Sequence, residues 1–179
     1  MRVIAGSLKG RRLRTPTWDG LRPTSDKLRE TLFNVLAPVI DGARVLDGYA
    51  GTGAIGIEAL SRGAAHVTFV EHDRRAQALI AGNLTACGVA DGYAIIRAGI
   101  VRAAADLPPA TFDLVLLDPP YDDDAAQAIA AVARLLAANG TLVLEHARRN
   151  PAPSAVGELT RFREIVSGDS ALALYSCPP

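Results

Sequence analysis

The chain has 179 residues, room for one domain with a sizeable core, and 49% apolar with 21% charged residues is ordinary globular composition. Formal net charge is zero, so global charge implies no partner, and no apolar run approaches the roughly 20 residues of a membrane span. Cys87 and Cys177 have neither CxxC spacing nor histidine company that would indicate zinc, and the basic N-terminus lacks an apolar signal segment, so a reducing cytoplasm is the simplest home.

Taken in chain order, residues 2–5 and 12–15 read as short extended segments around a glycine-containing turn, a small β-hairpin. Residues 16–23 are turn-rich, and Thr24 or Ser25 caps a helix to about residue 37, with Leu28, Leu32, Val35 and Leu36 on one face and Pro38 as its stop. Regular alternation follows: strands at 43–47, 66–71, 93–97, 112–117 and 141–146, with helices at 54–62, 73–87, 101–106 and 122–138 between them. Strands as continuously apolar as VTFV, LVLL and LVL predict a parallel sheet covered on both faces. The proline-containing stretch after residue 147 is hostile to a helix, and 162–167 with 172–176 predicts a closing hairpin joined through Gly168-Asp169. One domain over 1–179 is expected, a basic extension at 1–23 preceding a core at 24–179.

Gly51-Thr52-Gly53-Ala54-Ile55-Gly56 is a literal G-x-G-x-x-G, a pattern that in dinucleotide-binding folds places pyrophosphate on a helix N-terminus. Here Asp47 ends the preceding strand and three residues intervene before Gly51. Two like charges roughly 4 Å apart repel by about 4 kcal/mol even at an effective dielectric near 20, which argues against a phosphate ligand. S-adenosylmethionine carries no phosphate, and its ammonium and sulfonium welcome a carboxylate. The loop residues Asp47, Tyr49, Gly51, Thr52 and Gly53 are therefore candidate donor-binding residues. Glu71 ends the second strand at the distance expected of a ribose-binding acid, and His72 beside it is placed to edge the adenosine.

The fourth strand runs into Asp118-Pro119-Pro120-Tyr121. Two prolines stiffen this turn and force the residues before them into extended conformations. It offers a carboxylate, a carbonyl oxygen and an aromatic ring. That combination suits methylation of an exocyclic base amine: two acceptors hold its N–H bonds and the ring stacks on the base. Residues 1–29 carry Arg2, Lys9, Arg11, Arg12, Arg14, Arg22, Lys27 and Arg29 against Asp19 and Asp26, the footprint of phosphate contacts or a solvated basic surface. His66, His72 and His146 have no partners at ligand spacing, Asp122-Asp123-Asp124 reads as charge at a helix start, Arg148 and Arg149 as a solvated loop or a phosphate contact, and Trp18 as packing under the hairpin.

RVIAG at 2–6, KGR at 9–11, LRPT at 21–24, RETLFN at 29–34, the loop at 47–53, EALSRGA at 58–64, DPPY at 118–121 and the closing Gly168-Asp169-Ser170 resemble the bacterial RsmD family over nearly the whole chain. DPPY alone is shared with adenine-N6 methyltransferases; the N-terminal block is more specific. The resemblance implies an α/β, Rossmann-like class I SAM-dependent methyltransferase: a seven-stranded, mostly parallel sheet with an antiparallel C-terminal hairpin, preceded by a small N-terminal β-hairpin and helix. It implies transfer to the N2 amine of guanine 966 in 16S ribosomal RNA of the small subunit. Donor roles then fall on Asp47, Gly51, Gly53 and Glu71, base contacts on Asp118, Pro119, Pro120 and Tyr121, and RNA contacts on Arg2, Lys9, Arg11, Arg12 and Arg22. The protein is expected to be a cytoplasmic monomer that uses no metal and no membrane.

Three departures from the family pattern stand out. Gly48 replaces a bulky apolar residue, Ala98-Gly99 replaces the acid or amide that reads adenine, leaving Gly99 to do so through its backbone, and no helix is expected in 147–160. Open alternatives are an amine methyltransferase acting on adenine N6, a non-catalytic RNA-binding module, and an NAD-type oxidoreductase, the last opposed by Asp47.

Overall fold

The computed structural model describes residues 1–18, 24–120 and 124–177. The predicted residues Arg22, Tyr121, Asp122 and Asp123 lie outside these. Among the described residues the strands are β1 (Arg44–Asp47), β2 (His66–Val70), β3 (Tyr93–Ile96), β4 (Phe112–Leu117), β5 (Leu136–Ala147), β6 (Ala155–Val156), β7 (Leu159–Ser167) and β8 (Ser170–Ser176). The helices are α1 (Asp26–Leu36), α2 (Ala54–Ser61), α3 (Arg74–Cys87), α4 (Ile100–Asp106) and α5 (Ala125–Ala133).

One sheet holds all eight strands in the order β3-β2-β1-β4-β5-β8-β7-β6. The first five are parallel, and β8 returns antiparallel to both β5 and β7. The eighth strand is the two-residue β6 at the edge, pairing with β7 within the stretch expected to be a plain connection. Consecutive apolar residues divide between the two faces. Leu114 and Leu116 pack with α1, α2 and α3, while Val115 and Leu117 pack with α4 and α5, which is why FDLVLL carries no polar alternation.

Helix starts follow their caps. Ser25 Oγ accepts from Leu28 N–H, Asp73 Oδ1 from Arg75 N–H, and Asp124 Oδ1 from the N–H groups of Ala126 and Gln127. The expected helix at 122–138 stops early, at Ala133. The Leu135 carbonyl accepts from Thr111 and Phe112 N–H, so strand pairing takes over from alanine propensity. Leu136 opposite Phe112 begins β5, and an irregularity at Asn139 (φ 64°) carries the chain on to pair Thr141 with Leu114.

The N-terminal segments meet as expected, through an isolated antiparallel bridge between Arg2 and Arg12. Val3 and Leu13 are buried beneath it. The buried Glu58 carboxylate accepts from Ile4 N–H (2.7 Å), Ala5 N–H (3.0 Å) and Arg62 Nε (2.8 Å), which satisfies its charge and fastens the hairpin to α2. Arg29 is fully buried, its Nη2 donating to the Arg2 carbonyl and to Asp26, so this cation belongs to the interior and not to the basic surface. In the tail, Tyr175 Oη donates to the Pro153 carbonyl at 2.7 Å and pins the proline-containing connection; burial pushes its hydroxyl up to about 12.

Gly56 shows what the third glycine of the loop motif is for. A Cβ there would lie 2.2 Å from Cε1 of Phe69 on β2, so only glycine lets α2 pack this close to the sheet. Gly56→Ala is expected to destabilise the protein by about 1–3 kcal/mol, read as a lower urea midpoint at unchanged m-value. A midpoint equal to that of the parent would contradict this packing.

Candidate active site

Between neighbouring β1 and β4 the connections leave in opposite directions, and the crevice at their carboxyl ends is where open α/β sheets hold ligands. The loop from β1 to α2 lies across it. Gly51 (φ 53°) and Gly53 (φ 77°) adopt left-handed conformations that let the backbone fold tightly there. Gly48 does not leave a hollow: a Cβ would meet Leu117 at 2.4 Å and Ile100 at 3.2 Å, so these side chains fill the space. A cavity of about 710 Å³ opens above the loop, a size suited to a nucleoside-sized ligand.

Of the residues predicted for a donor, Tyr49, Gly51, Thr52, Glu71 and His72 line this cavity. Asp47 and Gly53 lie behind the loop, and Gly99 is exposed at the start of α4; none of the three forms the cavity wall. Glu71, 6% exposed, accepts from Gly51 N–H at 2.9 Å through one oxygen and from Asp73 N–H at 2.8 Å through the other. Its carboxylate thus couples the glycine loop to the start of α3 and keeps lone pairs free for hydroxyl groups of a ligand. His72 Nδ1 stands 3.2 Å from the same carboxylate.

Asp47 is 2% exposed and turned back onto α2, where its Oδ2 accepts from Gly56 N–H at 2.9 Å. Its carboxyl is raised to about 7: burial contributes most, the Gly56 bond acts downward, and the charges of Asp118 and Glu71 add to the rise. Asp118 and the Pro119-Pro120 turn line the same cavity, at the end of the neighbouring β4. Asp118 Oδ2 accepts from Thr24 Oγ1 at 2.9 Å. Burial holds this carboxyl above the ordinary carboxylate range, while hydrogen bonds from Thr24 and Glu145 act in the opposite sense. Asp73 is paired with Arg75 at 2.8 Å, and among the described lining residues Glu71, Asp118, Glu145 and Asp169 outnumber the one other lysine or arginine, Lys27. The cavity is acid-rich and favours a positively charged guest.

Several lining residues were not selected from the sequence. Glu145 and Thr24 touch Asp118; both stand at element ends facing the crevice, the one signal that marked them. The β7–β8 turn, residues 167–170, forms part of the rim. Trp18, expected to pack under the hairpin, lines the cavity, with the Arg75 guanidinium 4.9 Å from its ring centroid. Buried Asn83 links the basic segment to the donor loop: it accepts from Arg14 N–H and donates to the carbonyls of Arg14 and Thr52. Among the described residues no group of three or more acidic, histidine or cysteine side chains is placed to hold a metal ion, and no helix is long and apolar enough to cross a membrane.

The parallel strand order, the antiparallel closing pair and the crevice define the class I methyltransferase fold, and solved structures agree. The structure of yhhF from Escherichia coli superposes with a TM-score of 0.85 at 35% identity, covering 99% of this chain and 97% of that one. PH1948 from Pyrococcus horikoshii shares the fold at TM-score 0.78 with 16% identity. Residues 1–176 match the family described as "Conserved hypothetical protein 95". The Escherichia coli K12 protein named "Ribosomal RNA small subunit methyltransferase D" is 36% identical over 181 residues, spanning 98% of this chain and 89% of that protein. YlbH of Bacillus subtilis strain 168, whose name also proposes an rRNA methyltransferase, is 38% identical over 180 residues, with 98% of each chain covered. The chain belongs to this family, the RsmD family.

Proposed function

We propose that this protein transfers a methyl group from S-adenosylmethionine to ribosomal RNA, and that its target is the exocyclic N2 amine of guanine 966 in the 16S RNA of the small subunit. The observation that carries the reading is Asp118 with its Pro-Pro turn at the wall of an acid-rich, nucleoside-sized cavity. The names borne by the Escherichia coli and Bacillus subtilis relatives support ribosomal RNA as the substrate class.

The cavity fits the donor: its acids suit the two cationic groups, and Glu71 presents a carboxylate to ribose hydroxyls. We assign the methionine end to Tyr49, Gly51 and Thr52, with Gly53 shaping their loop, the ribose to Glu71 and His72, and the balancing charge to Asp47; Gly99, expected at the adenine, stands outside the cavity lining. The donor supplies an electrophilic methyl group. An exocyclic amine is a weak nucleophile because its lone pair is delocalised into the ring. Asp118 and the Pro119 carbonyl, fixed by Pro120, accept its two N–H bonds, turn the lone pair toward the methyl carbon and stabilise positive charge growing on nitrogen. Tyr121 is assigned to stack on the base. Methyl transfer of this kind needs no metal.

RNA contact is assigned to Arg2, Lys9, Arg11, Arg12 and Arg22, and the first four of these are exposed. The hairpin turn is held at Ser61, the far end of α2, while Arg14 is held at Asn83, which reaches the donor loop. A basic track therefore leads from Lys9 through Arg14 toward Trp18 at the cavity. Replacing Lys9, Arg11 and Arg12 together by Glu is expected to weaken RNA binding and reduce the slope of log K against log salt by roughly 2 or more. An unchanged slope would return these residues to an ordinary solvated surface.

The substrate is tested by incubating the protein with methyl-labelled S-adenosylmethionine and either naked 16S RNA or small subunits lacking the modification, then digesting one portion to nucleosides to identify the base and another with a base-specific ribonuclease to place it in the sequence. Label in N2-methylguanosine at position 966 is expected. Label in N6-methyladenosine would transfer the activity to the other amine, and no label on either substrate would remove it.

A further inference from the structure

Among the cavity acids without a role in methyl transfer, Glu145 is the one beside Asp118. Glu145 stands on β5, whose register against β4 pairs Leu116 with Val143 and Leu117 with Leu144. The next step along both strands brings Glu145 beside Asp118, and the two border both the cavity and the small pocket behind it. Two ionised carboxylates only accept, so a hydrogen bond between these neighbours needs a shared proton. On the other side Thr24 Oγ1 donates to Asp118 Oδ2 at 2.9 Å. Glu145 also borders a small apolar pocket behind the site, walled by Leu32, Ile55, Leu116, Val143 and Leu172, where a second full negative charge is poorly solvated.

Resting on the methyl-transfer reading, we propose that Glu145 is a positioning residue: it holds a shared proton against Asp118 and, with Thr24, fixes which Asp118 oxygen receives the target amine. As the amine lone pair forms the N–C bond, the C–S pair returns to sulfur. The N–H pair then stays on nitrogen while the proton passes to Asp118, and the excess proton of the carboxyl pair leaves to water through the cavity mouth. Among the described residues, the charged and titratable groups around this pair are Asp47 at the end of β1, Glu71 and His72 after β2, Asp73 with its partner Arg75 at the start of α3, Lys27 from α1 and Asp169 from the β7–β8 turn. Acids outnumber cations among them, so a proton between Asp118 and Glu145 relieves their mutual repulsion.

The test compares the parent with Glu145→Gln, which keeps a donor but cannot titrate, and Glu145→Ala, which keeps neither. Carboxyl carbon NMR of the free protein reads the pair without any substrate. Two separated steps are expected in the parent, the upper one above the ordinary carboxylate range, and a single Asp118 step in either variant. In methyl transfer, Glu145→Ala is expected to lower kcat roughly tenfold with the donor KM within about twofold, and Glu145→Gln to lose less while altering the acid limb of its pH profile. An Asp118 titration identical in parent and both folded variants would overturn the proposal, whatever the substrate proves to be. Altered titration with no methyl transfer to RNA by the parent would instead leave the proton-sharing pair standing and sink the substrate reading.

Discussion

Asp118→Ala is expected to reduce turnover by roughly 10²–10³ while leaving the dissociation constant for S-adenosylmethionine within about threefold of the parent value. The two effects separate because of where Asp118 stands. The donor loop and Glu71, tied together by the bond from Gly51 N–H to Glu71, follow β1 and β2, whereas Asp118 ends β4 and takes no part in that bond. Removing it takes away an acceptor for the target amine and a negative charge close to the growing ammonium, but no group assigned to the nucleoside. The loss belongs in kcat, since the contact strengthens as charge develops on nitrogen. Calorimetry with the donor and single-turnover methyl incorporation check the two halves separately. Turnover near that of the parent would take Asp118 out of the reaction, and lost donor binding would move it to the donor site.

Asp47→Asn is expected to weaken donor binding at pH 8 roughly tenfold while making the empty protein more stable. Asp47 is buried, and its carboxyl titrates near 7 with no cation among the causes of that shift. Because its folded value lies above the usual 3.8, ionisation opposes folding: the stability loss begins as pH rises past about 3.8, grows to about 7, and is complete above that. Moving a carboxyl over that interval corresponds to about 4 kcal/mol. Asparagine retains an oxygen for Gly56 N–H but never charges, so a gain of about 1–2 kcal/mol is expected at pH 8 after its amide hydrogens find weaker partners. At pH 4 that gain should vanish. A cationic donor prefers the ionised acid, so the parent should bind S-adenosylmethionine more tightly from pH 6 to 8 and release a proton in doing so near pH 7. Calorimetry in buffers of different ionisation enthalpy reads the proton, and thermal melts read the stability. Equal melting at pH 8, or pH-independent binding by the parent, would contradict the electrostatic account.

Much of this site was legible because strand ends in an alternating α/β chain share one edge. Once 43–47, 66–71 and 112–117 were read as parallel strands, Asp47, Glu71 and Asp118 had to converge, and in the structure the first two interact electrostatically and Asp118 stands with them. What escaped depends on geometry that no local pattern encodes. Glu145 reaches Asp118 only through the β4–β5 register, which itself shifts after Leu136 at an irregularity hidden inside an alanine-rich helical pattern. Asn83 looked like one polar residue in the middle of α3, yet it clasps Arg14 and Thr52 across the fold. Trp18 reads as packing until Arg75 on α3 is seen beneath its ring at the cavity edge. The direction of the Asp47 side chain, back onto Gly56 and away from the cavity wall, was likewise beyond a reading of spacing.

A cavity that selects a cationic, phosphate-free nucleoside should give saturable heat when the purified protein is titrated with S-adenosylmethionine at pH 8 and none with NADH in parallel. Saturable binding of NADH with none of S-adenosylmethionine would show that the acids of this cavity do not select its guest.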